Sequence, residues 1–172
     1  MLRIGMSIYA FVLQMKKLLR SLDGCLDKAV AYAGTRKFDP NVLMQSRLAP
    51  DMFPFVRQVQ AVCDQAKYAV SRVTGRDTPS HPDTEQTIDE LKKRIATVIG
   101  YLDEYSEKDF ADLANRTVTT PRWEGKSMTA INYFIEHAQP NFYFHLTTAY
   151  AILRHNGVDV GKRDFLGTMT WR

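Results

Sequence analysis

The chain has 172 residues, of which 45% are hydrophobic, 11% aromatic and 24% charged, and its formal net charge is +4. So much apolar and aromatic surface must be buried, which excludes an intrinsically disordered protein and indicates a single globular domain over residues 1–172. Cys25 and Cys63 are too few for a disulfide scaffold, so we expect both thiols to be reduced in a cytoplasmic protein.

The apolar segment near the start of the chain is not typical of a secretory signal or a membrane span. Apart from Arg3, its positive charges, Lys16 and Lys17, follow the apolar residues, whereas a secretory signal carries them first. No apolar run approaches the roughly 18 uninterrupted residues of a membrane-spanning helix. We therefore expect no membrane partner.

Apolar residues recur at helical spacing along the first two predicted helices. The first helix is predicted to end at Gly34, with these residues facing inward: Ile8, Phe11, Met15, Leu18, Leu22, Cys25, Ala29 and Tyr32. The second is predicted to begin after Pro50, with Asp51 near its positive dipole end, and to end at Gly75. Its inward residues are Phe55, Val59, Val62, Ala66, Val70 and Val73. Between the helices we expect an irregular segment with a helical turn after Pro40.

The third predicted helix follows a polar connection that is rich in proline. Asp83 and Gln86 have the spacing of a capping box at its start, and its inward residues are Ile88, Leu91, Ile95, Val98 and Leu102. A group of basic residues on this helix is predicted to face water: Lys92, Lys93 and Arg94. Because acidic residues lie close by, we interpret the group as a solvated face and expect no nucleic-acid partner.

The last third of the chain predicts an excursion followed by a fourth helix. A short helix is expected over residues 106–113, and residues 115–126 contain β-branched residues, Pro121 and Gly125, which predict an extended excursion or loose hairpin. The fourth helix is expected from Ser127 to Gly157, with a kink at Pro140. Four long helices with short links predict an all-α antiparallel four-helix bundle, with the excursion before the last helix.

Polar residues interrupt the inward face of the fourth helix. Asn141 and His145 lie four residues apart where apolar side chains are expected, and His137 extends the row by a further turn. A polar group left bare inside a bundle costs about 1–3 kcal/mol, so each needs a partner. In one interpretation His145 hydrogen-bonds a neighbouring helix and Asn141 binds the carbonyl that Pro140 frees. In the other, the three side chains line a ligand pocket.

The spacing of these polar residues does not favour a metal site. His137 and His145 are eight residues apart, about 12 Å along a helix axis, and cannot share one ion. Asn141 is a poor ligand for a transition metal, and the predicted second helix contains no histidine. The pattern thus predicts no cofactor. The aromatic residues of the fourth helix are expected in the core or a dimer interface: Tyr133, Phe134, Phe142, Tyr143, Phe144 and Tyr150.

Three segments resemble a known family: the opening MLRIGMSIYAFVLQMKKLL, the middle LAPDMFPFVRQVQ, and NFYFHLTTAYAILRHNGVDVGKRDFLG over residues 141–167. Over nearly its whole length the chain resembles the bacterial and fungal family named domain of unknown function 1993, which is similar in fold to DinB/YfiT-like proteins. The resemblance implies an up-down-down-up four-helix bundle. Many such bundles bind a divalent metal through one histidine on the second helix and two on the fourth, and some use it in thiol-dependent transfer reactions.

The resemblance also implies which residues occupy the metal positions. His145 stands twelve residues before Gly157-Val158 and matches the last ligand, whereas Asn141 and Gln58 occupy the other two positions. Two of the three histidines are thus replaced, which implies a degenerate pocket lined by His145, Asn141, His137 and Gln58. We expect a homodimeric, non-catalytic protein that binds a small molecule. The alternatives are a divalent-metal-dependent thiol transferase and a purely structural homodimeric bundle.

Overall fold

A computed structural model describes residues 4–171 of the chain, with side chains from Ile8 onward. The first three long helices are α1 (Ile4–Arg36), α2 (Phe55–Thr74) and α3 (Ile88–Asp103). The fourth is continuous over residues 130–155 and consists of α4 (Ala130–Asn132), a π-helical segment (Tyr133–Ala138) and α5 (Gln139–His155). The smaller elements are the 3₁₀ turns Pro40–Gln45, Glu107–Phe110 and Pro121–Trp123, the strands β1 (Thr117–Thr119) and β2 (Ser127–Thr129), and α6 (Lys162–Leu166).

The four long helices run up, down, down and up, which confirms the predicted all-α bundle. Two contacts for each helix pair establish the directions. α1 and α3 are antiparallel, as the pairs Lys16–Asp103 and Lys92–Asp23 show, and α2 and α3 are parallel, as the pairs Gln60–Glu85 and Arg76–Glu104 show. α2 is antiparallel to the fourth helix, as the pairs Gln58–His145 and Tyr68–Tyr133 show. Buried apolar side chains from all four helices form one continuous core.

The core lies where the apolar faces of the four helices meet. The inward residues predicted for α2 and α3 are all buried, and those of α1 are buried except for Tyr32, which is half-buried. Full burial of an aliphatic or aromatic side chain stabilises the fold by about 1.5–3 kcal/mol. Helical periodicity in the sequence therefore identifies most of the core.

The predicted end of α1 and the predicted start of α2 are wrong, each because of a local backbone preference. α1 continues past Gly34 to Arg36, and Lys37 takes the left-handed conformation that ends it, with φ of +57°. α2 begins at Phe55 rather than beside Asp51, because the residue before Pro54 favours extended backbone. At this helix start, the amide of Phe55 donates to the carbonyl of Ser46, which lies in the segment before α2.

The capping box of α3 is formed by Thr87 and Glu90 rather than by Asp83 and Gln86. The hydroxyl of Thr87 accepts the Glu90 amide, and the Glu90 carboxylate accepts the Thr87 amide at 3.0 Å. Asp83 lies outside the helix, where Arg57 and Arg94 bind its carboxylate. Arg94 is therefore buried and does not face water as predicted.

The predicted hairpin is confirmed, and it shortens the fourth helix at its start. β1 and β2 pair antiparallel, with Thr117 opposite Thr129 and Thr119 opposite Ser127. Because β2 occupies residues 127–129, the helix begins at Ala130 rather than Ser127, and the Thr129 hydroxyl caps it by accepting the Asn132 amide.

A change of helix type precedes Pro140, where the sequence predicts a kink. The π-helical segment Tyr133–Ala138 ends just before this proline, and the amide of Gln139 donates to the carbonyl of Phe134, five residues earlier. The wider turns accommodate a residue that lacks an amide hydrogen. His137 belongs to this π-helical segment, whereas Asn141 and His145 belong to α5.

No helix within residues 4–171 combines the length and the apolar character needed to cross a membrane.

Candidate functional site

His145 lies on α5 and faces the start of α2, where its imidazole is half-buried. Its Nδ1 atom is 2.7 Å from the Oε1 atom of Gln58, a residue that is only 1% exposed. The Gln58 amide nitrogen in turn donates to the backbone carbonyl of Phe53 at 3.2 Å. This carbonyl precedes α2 because Pro54 delays the start of the helix. The structure thus brings together His145 and Gln58, two of the predicted site residues.

The Phe53 carbonyl determines which nitrogen of His145 carries the proton. A carbonyl only accepts, so Gln58 must direct its NH₂ group toward Phe53 and its oxygen toward His145. The Nδ1 atom of His145 is therefore the donor, and the neutral imidazole keeps its lone pair on Nε2. Burial, and then the nearby Arg57 guanidinium, lower the pKa of His145, so the ring is neutral at pH 7. Nε2 is consequently a hydrogen-bond acceptor and a weak base.

Two aromatic rings flank this imidazole. The Phe53 ring stacks on it with a centroid distance of 6.5 Å and an interplanar angle of 12°, and Phe144 meets it edge-on at 5.2 Å. Phe53 and Phe144 are 52% and 56% exposed. The Arg57 guanidinium lies 5.7 Å from the centroid of the Phe53 ring. His145 therefore sits between apolar walls that are accessible from the surface.

Asn141 lies one turn before His145 on the same helix and is also half-buried. Among the side-chain hydrogen bonds of the described residues, none involves Asn141. The expected bond from Asn141 to a carbonyl freed by Pro140 is therefore not formed within this part of the chain.

His137 lies apart from the pair formed by Gln58 and His145. Its ring stacks on Tyr133 with a centroid distance of 5.3 Å and meets Trp123 edge-on at 5.6 Å. Burial, followed by the nearby Arg72, lowers the pKa of His137, and its Nδ1 atom has no hydrogen-bond partner among the described residues. The eight-residue separation of His137 and His145, about 12 Å along a helix axis, accounts for this separate environment.

The residues near His145 do not fit a divalent-metal site of the kind that the resemblance implies. His145 offers one nitrogen, Nε2, while the Gln58 oxygen is already engaged by Nδ1. Asn141 offers only an amide. Within residues 4–171, no three His, Cys, Asp or Glu side chains are grouped so that they could hold one ion.

A buried network of ion pairs, which the sequence reasoning missed, lies between α2, α3 and the segment that joins them. The side chains of Lys67 and Arg94 are each 2% exposed. Lys67 binds Asp64 at 3.0 Å, and Arg94 binds Asp64 at 2.9 Å and Glu85 at 3.0 Å. A signal was present in the sequence, because Lys67 follows the buried Cys63 by four residues and Arg94 follows the buried Leu91 by three.

The two cysteines are buried and unpaired with each other, as expected. Burial raises the pKa of Cys25 to about 11 and that of Cys63 to about 12. Neither thiol is ionised at neutral pH, so neither has the thiolate character of a nucleophile.

Comparison with known proteins agrees with this fold and assigns the chain to a family. Residues 8–166 match the family "Domain of unknown function (DUF1993)". The crystal structure of a DinB family member protein from Shewanella denitrificans is 50% identical in sequence and superposes with a TM-score of 0.94, covering 98% of this chain and 96% of that one. None of the curated proteins matches the chain. The chain belongs to the DUF1993 family and has the fold of a DinB family member.

Proposed function

We propose that this protein is a non-catalytic binding protein, and that it binds a small organic molecule at the Nε2 atom of His145. The observation that carries the proposal is the chain of hydrogen bonds from His145 through Gln58 to the Phe53 carbonyl. It fixes the imidazole in one tautomer and one orientation, with an acceptor directed away from Gln58. Such a preorganised polar group beside apolar walls is typical of a small-molecule site.

The residues around His145 indicate the chemical class of the ligand. Nε2 accepts a hydrogen bond, so the ligand must carry a hydroxyl, thiol or N–H donor. Phe53 and Phe144 offer apolar faces, which favour an aromatic or aliphatic group next to that donor. Gln58 positions the imidazole, and Asn141, one turn away, provides a second polar contact. His137 contributes to a separate environment and is not part of this proposed pocket.

The test uses ¹⁵N NMR of the histidine rings, with phenol and benzyl mercaptan as probes. We expect Nε2 of His145 to have the chemical shift of an unprotonated nitrogen and to move when either probe is added. The Gln58→Ala variant loses the bond that orients the ring, so its affinity should fall about tenfold. His155→Ala is the matched control, because His155 lies at the exposed end of α5. If neither probe perturbs Nε2 in the wild type, the proposal is wrong.

Metal content separates this proposal from the thiol transferase that the resemblance suggests. We expect the untagged wild-type chain, purified without added metal and measured by mass spectrometry, to contain no stoichiometric zinc, nickel or iron. Stoichiometric metal that is lost in His145→Ala would contradict the binding-protein proposal. It would favour the transferase instead, despite Asn141 and Gln58.

A second proposal is that the chain forms a homodimer through apolar side chains exposed on α1 and the fourth helix. Leu13 is 46% exposed and Ile135 is 56% exposed, and the two helices adjoin where Phe11 packs on Phe134 with a centroid distance of 5.2 Å. Exposed apolar patches commonly mark interfaces. We expect a dimer in sedimentation velocity at micromolar concentration and a monomer for Ile135→Glu, whereas a wild-type monomer throughout that range would refute the dimer.

A reducing cytoplasm remains the proposed location.

A further inference from the structure

The segment that joins α2 to α3, residues 76–87, is held largely by polar contacts. We call it the connector. The buried ammonium of Lys67 donates to the carbonyl of Pro79 at 3.2 Å and lies 2.9 Å from the Nδ1 atom of His81. Arg94 donates to the carbonyl of Pro82 and binds the carboxylates of Asp83 and Glu85. Most connector residues are exposed, so apolar burial contributes little to keeping the segment in place.

The contact between Lys67 and His81 requires His81 to be neutral. An ammonium group only donates, so Nδ1 of His81 must accept and cannot carry a proton. Lys67 also contacts two further acceptors, Asp64 and the Pro79 carbonyl, and its side chain is 2% exposed. Protonation of His81 would place two cations in contact, one of them shielded from water.

The charges that face His81 come from every element packed around it. Lys67 and Asp64 belong to α2, Arg94 to α3 and Glu85 to the connector itself, while Asp77 and Glu104 line the same surface cleft of about 560 Å³. Burial is the largest cause of a lowered pKa of His81; Lys67 and Arg94 lower it further, and Asp64 and Glu85 partly oppose them.

From this geometry we infer that the connector is an acid-sensitive strap, which is closed while His81 accepts from Lys67 and opens when His81 is protonated. Because the pKa of His81 in the closed form is below its ordinary value of 6.5, the closed form has its full stability above about pH 6.5. That stability is lost as the pH falls below this value. Opening moves the imidazolium into water and leaves Lys67 with Asp64.

Limited proteolysis with papain, which is active at both pH 8 and pH 5, tests the strap when cleavage rates are normalised at each pH to an unstructured peptide of residues 76–87. We expect the protection of residues 76–87 against cleavage to fall about tenfold at pH 5, the order expected when two like charges are brought into contact. Protection of α2 and α3 should be retained. His81→Asn keeps an acceptor oxygen near the position of Nδ1 but does not titrate, so its connector should be equally protected at both pH values.

Two controls complete the test. His155→Asn removes an exposed histidine far from the connector and should respond to pH as the wild type does. In the unmodified chain, the midpoint of connector opening should coincide with the titration of the His81 ring followed by NMR. The strap is refuted if the wild-type connector keeps its protection at pH 5, or if His81→Asn opens as the wild type does. It is also refuted if α2 and α3 lose protection together with the connector, or if the midpoint of connector opening differs from that of the His81 titration.

Discussion

Replacing Arg94 with methionine should lower the free energy of unfolding by about 3–5 kcal/mol, the usual cost of removing one partner from a buried ion pair. The Arg94 side chain is 2% exposed and binds three carboxylates: those of Asp64, Asp83 and Glu85. Methionine restores much of the aliphatic volume but, among the described residues, leaves Glu85 without a cationic partner, and it leaves Asp64 and Asp83 with one cation each, Lys67 and Arg57. Urea unfolding followed by circular dichroism at pH 7.5 measures the change.

Lys93→Met is the matched control, because Lys93 is the exposed neighbour of Arg94 on α3. Its free energy of unfolding should change by less than about 0.5 kcal/mol, as is usual for substitutions on a solvated helix face. Equal, small effects of the two substitutions would show that Arg94 behaves as a solvated residue. The sequence-based expectation for Arg94 would then be right and the buried network would be without energetic consequence.

Local periodicity explains why the bundle could be predicted from the sequence. The apolar stripes of the helices depend on residues three and four apart, and these positions share a face whatever the rest of the chain does. Helix ends depend on contacts that the stripe does not encode. Lys37, which is not a glycine, ends α1 by taking the left-handed conformation, and Thr87 rather than Asp83 caps the start of α3.

The candidate site was only partly predictable, for a different reason. Asn141 and His145 share a face because they lie four residues apart on an α-helix, but the partner of His145 lies on another helix, 87 residues away. Only the family resemblance indicated Gln58. The contacts of His137 with Tyr133 and Trp123 also depend on the π-helical segment and the excursion before it, which the sequence pattern does not specify in detail.

The burial of Lys67 and Arg94 was missed because their residue type suggested exposure although their positions on the helices suggested burial. Both stand on apolar faces, and a charged residue is ordinarily assigned to water. Their burial depends on acceptors from two elements, α2 and the connector, and the connector has no regular secondary structure to predict. In this chain, the charged residues at inward positions of α2 and α3 form buried ion pairs with Asp64 on α2 and with acidic residues of the connector between the two helices.

Replacing Phe142 with alanine should lower the free energy of unfolding by about 3–5 kcal/mol, whereas Phe144→Ala should change it by less than about 1 kcal/mol. Phe142 is fully buried and packs against Phe11 of α1 with a centroid distance of 6.4 Å. Phe144 is 56% exposed and contacts the edge of His145. The two substitutions remove the same atoms from positions two residues apart, so their difference measures the helical phase of α5 directly.

Thermal and urea unfolding of the two variants, compared at equal concentration, distinguish this phase from the alternatives. Phe142→Ala creates a cavity among rigid aromatic rings that the surrounding helices fill only in part, which is the source of the larger loss. Comparable losses for both variants would mean that the face carrying Phe144 is covered, for instance by a second copy of the chain. The loss for Phe144→Ala would then decrease on dilution, while that for Phe142→Ala would not.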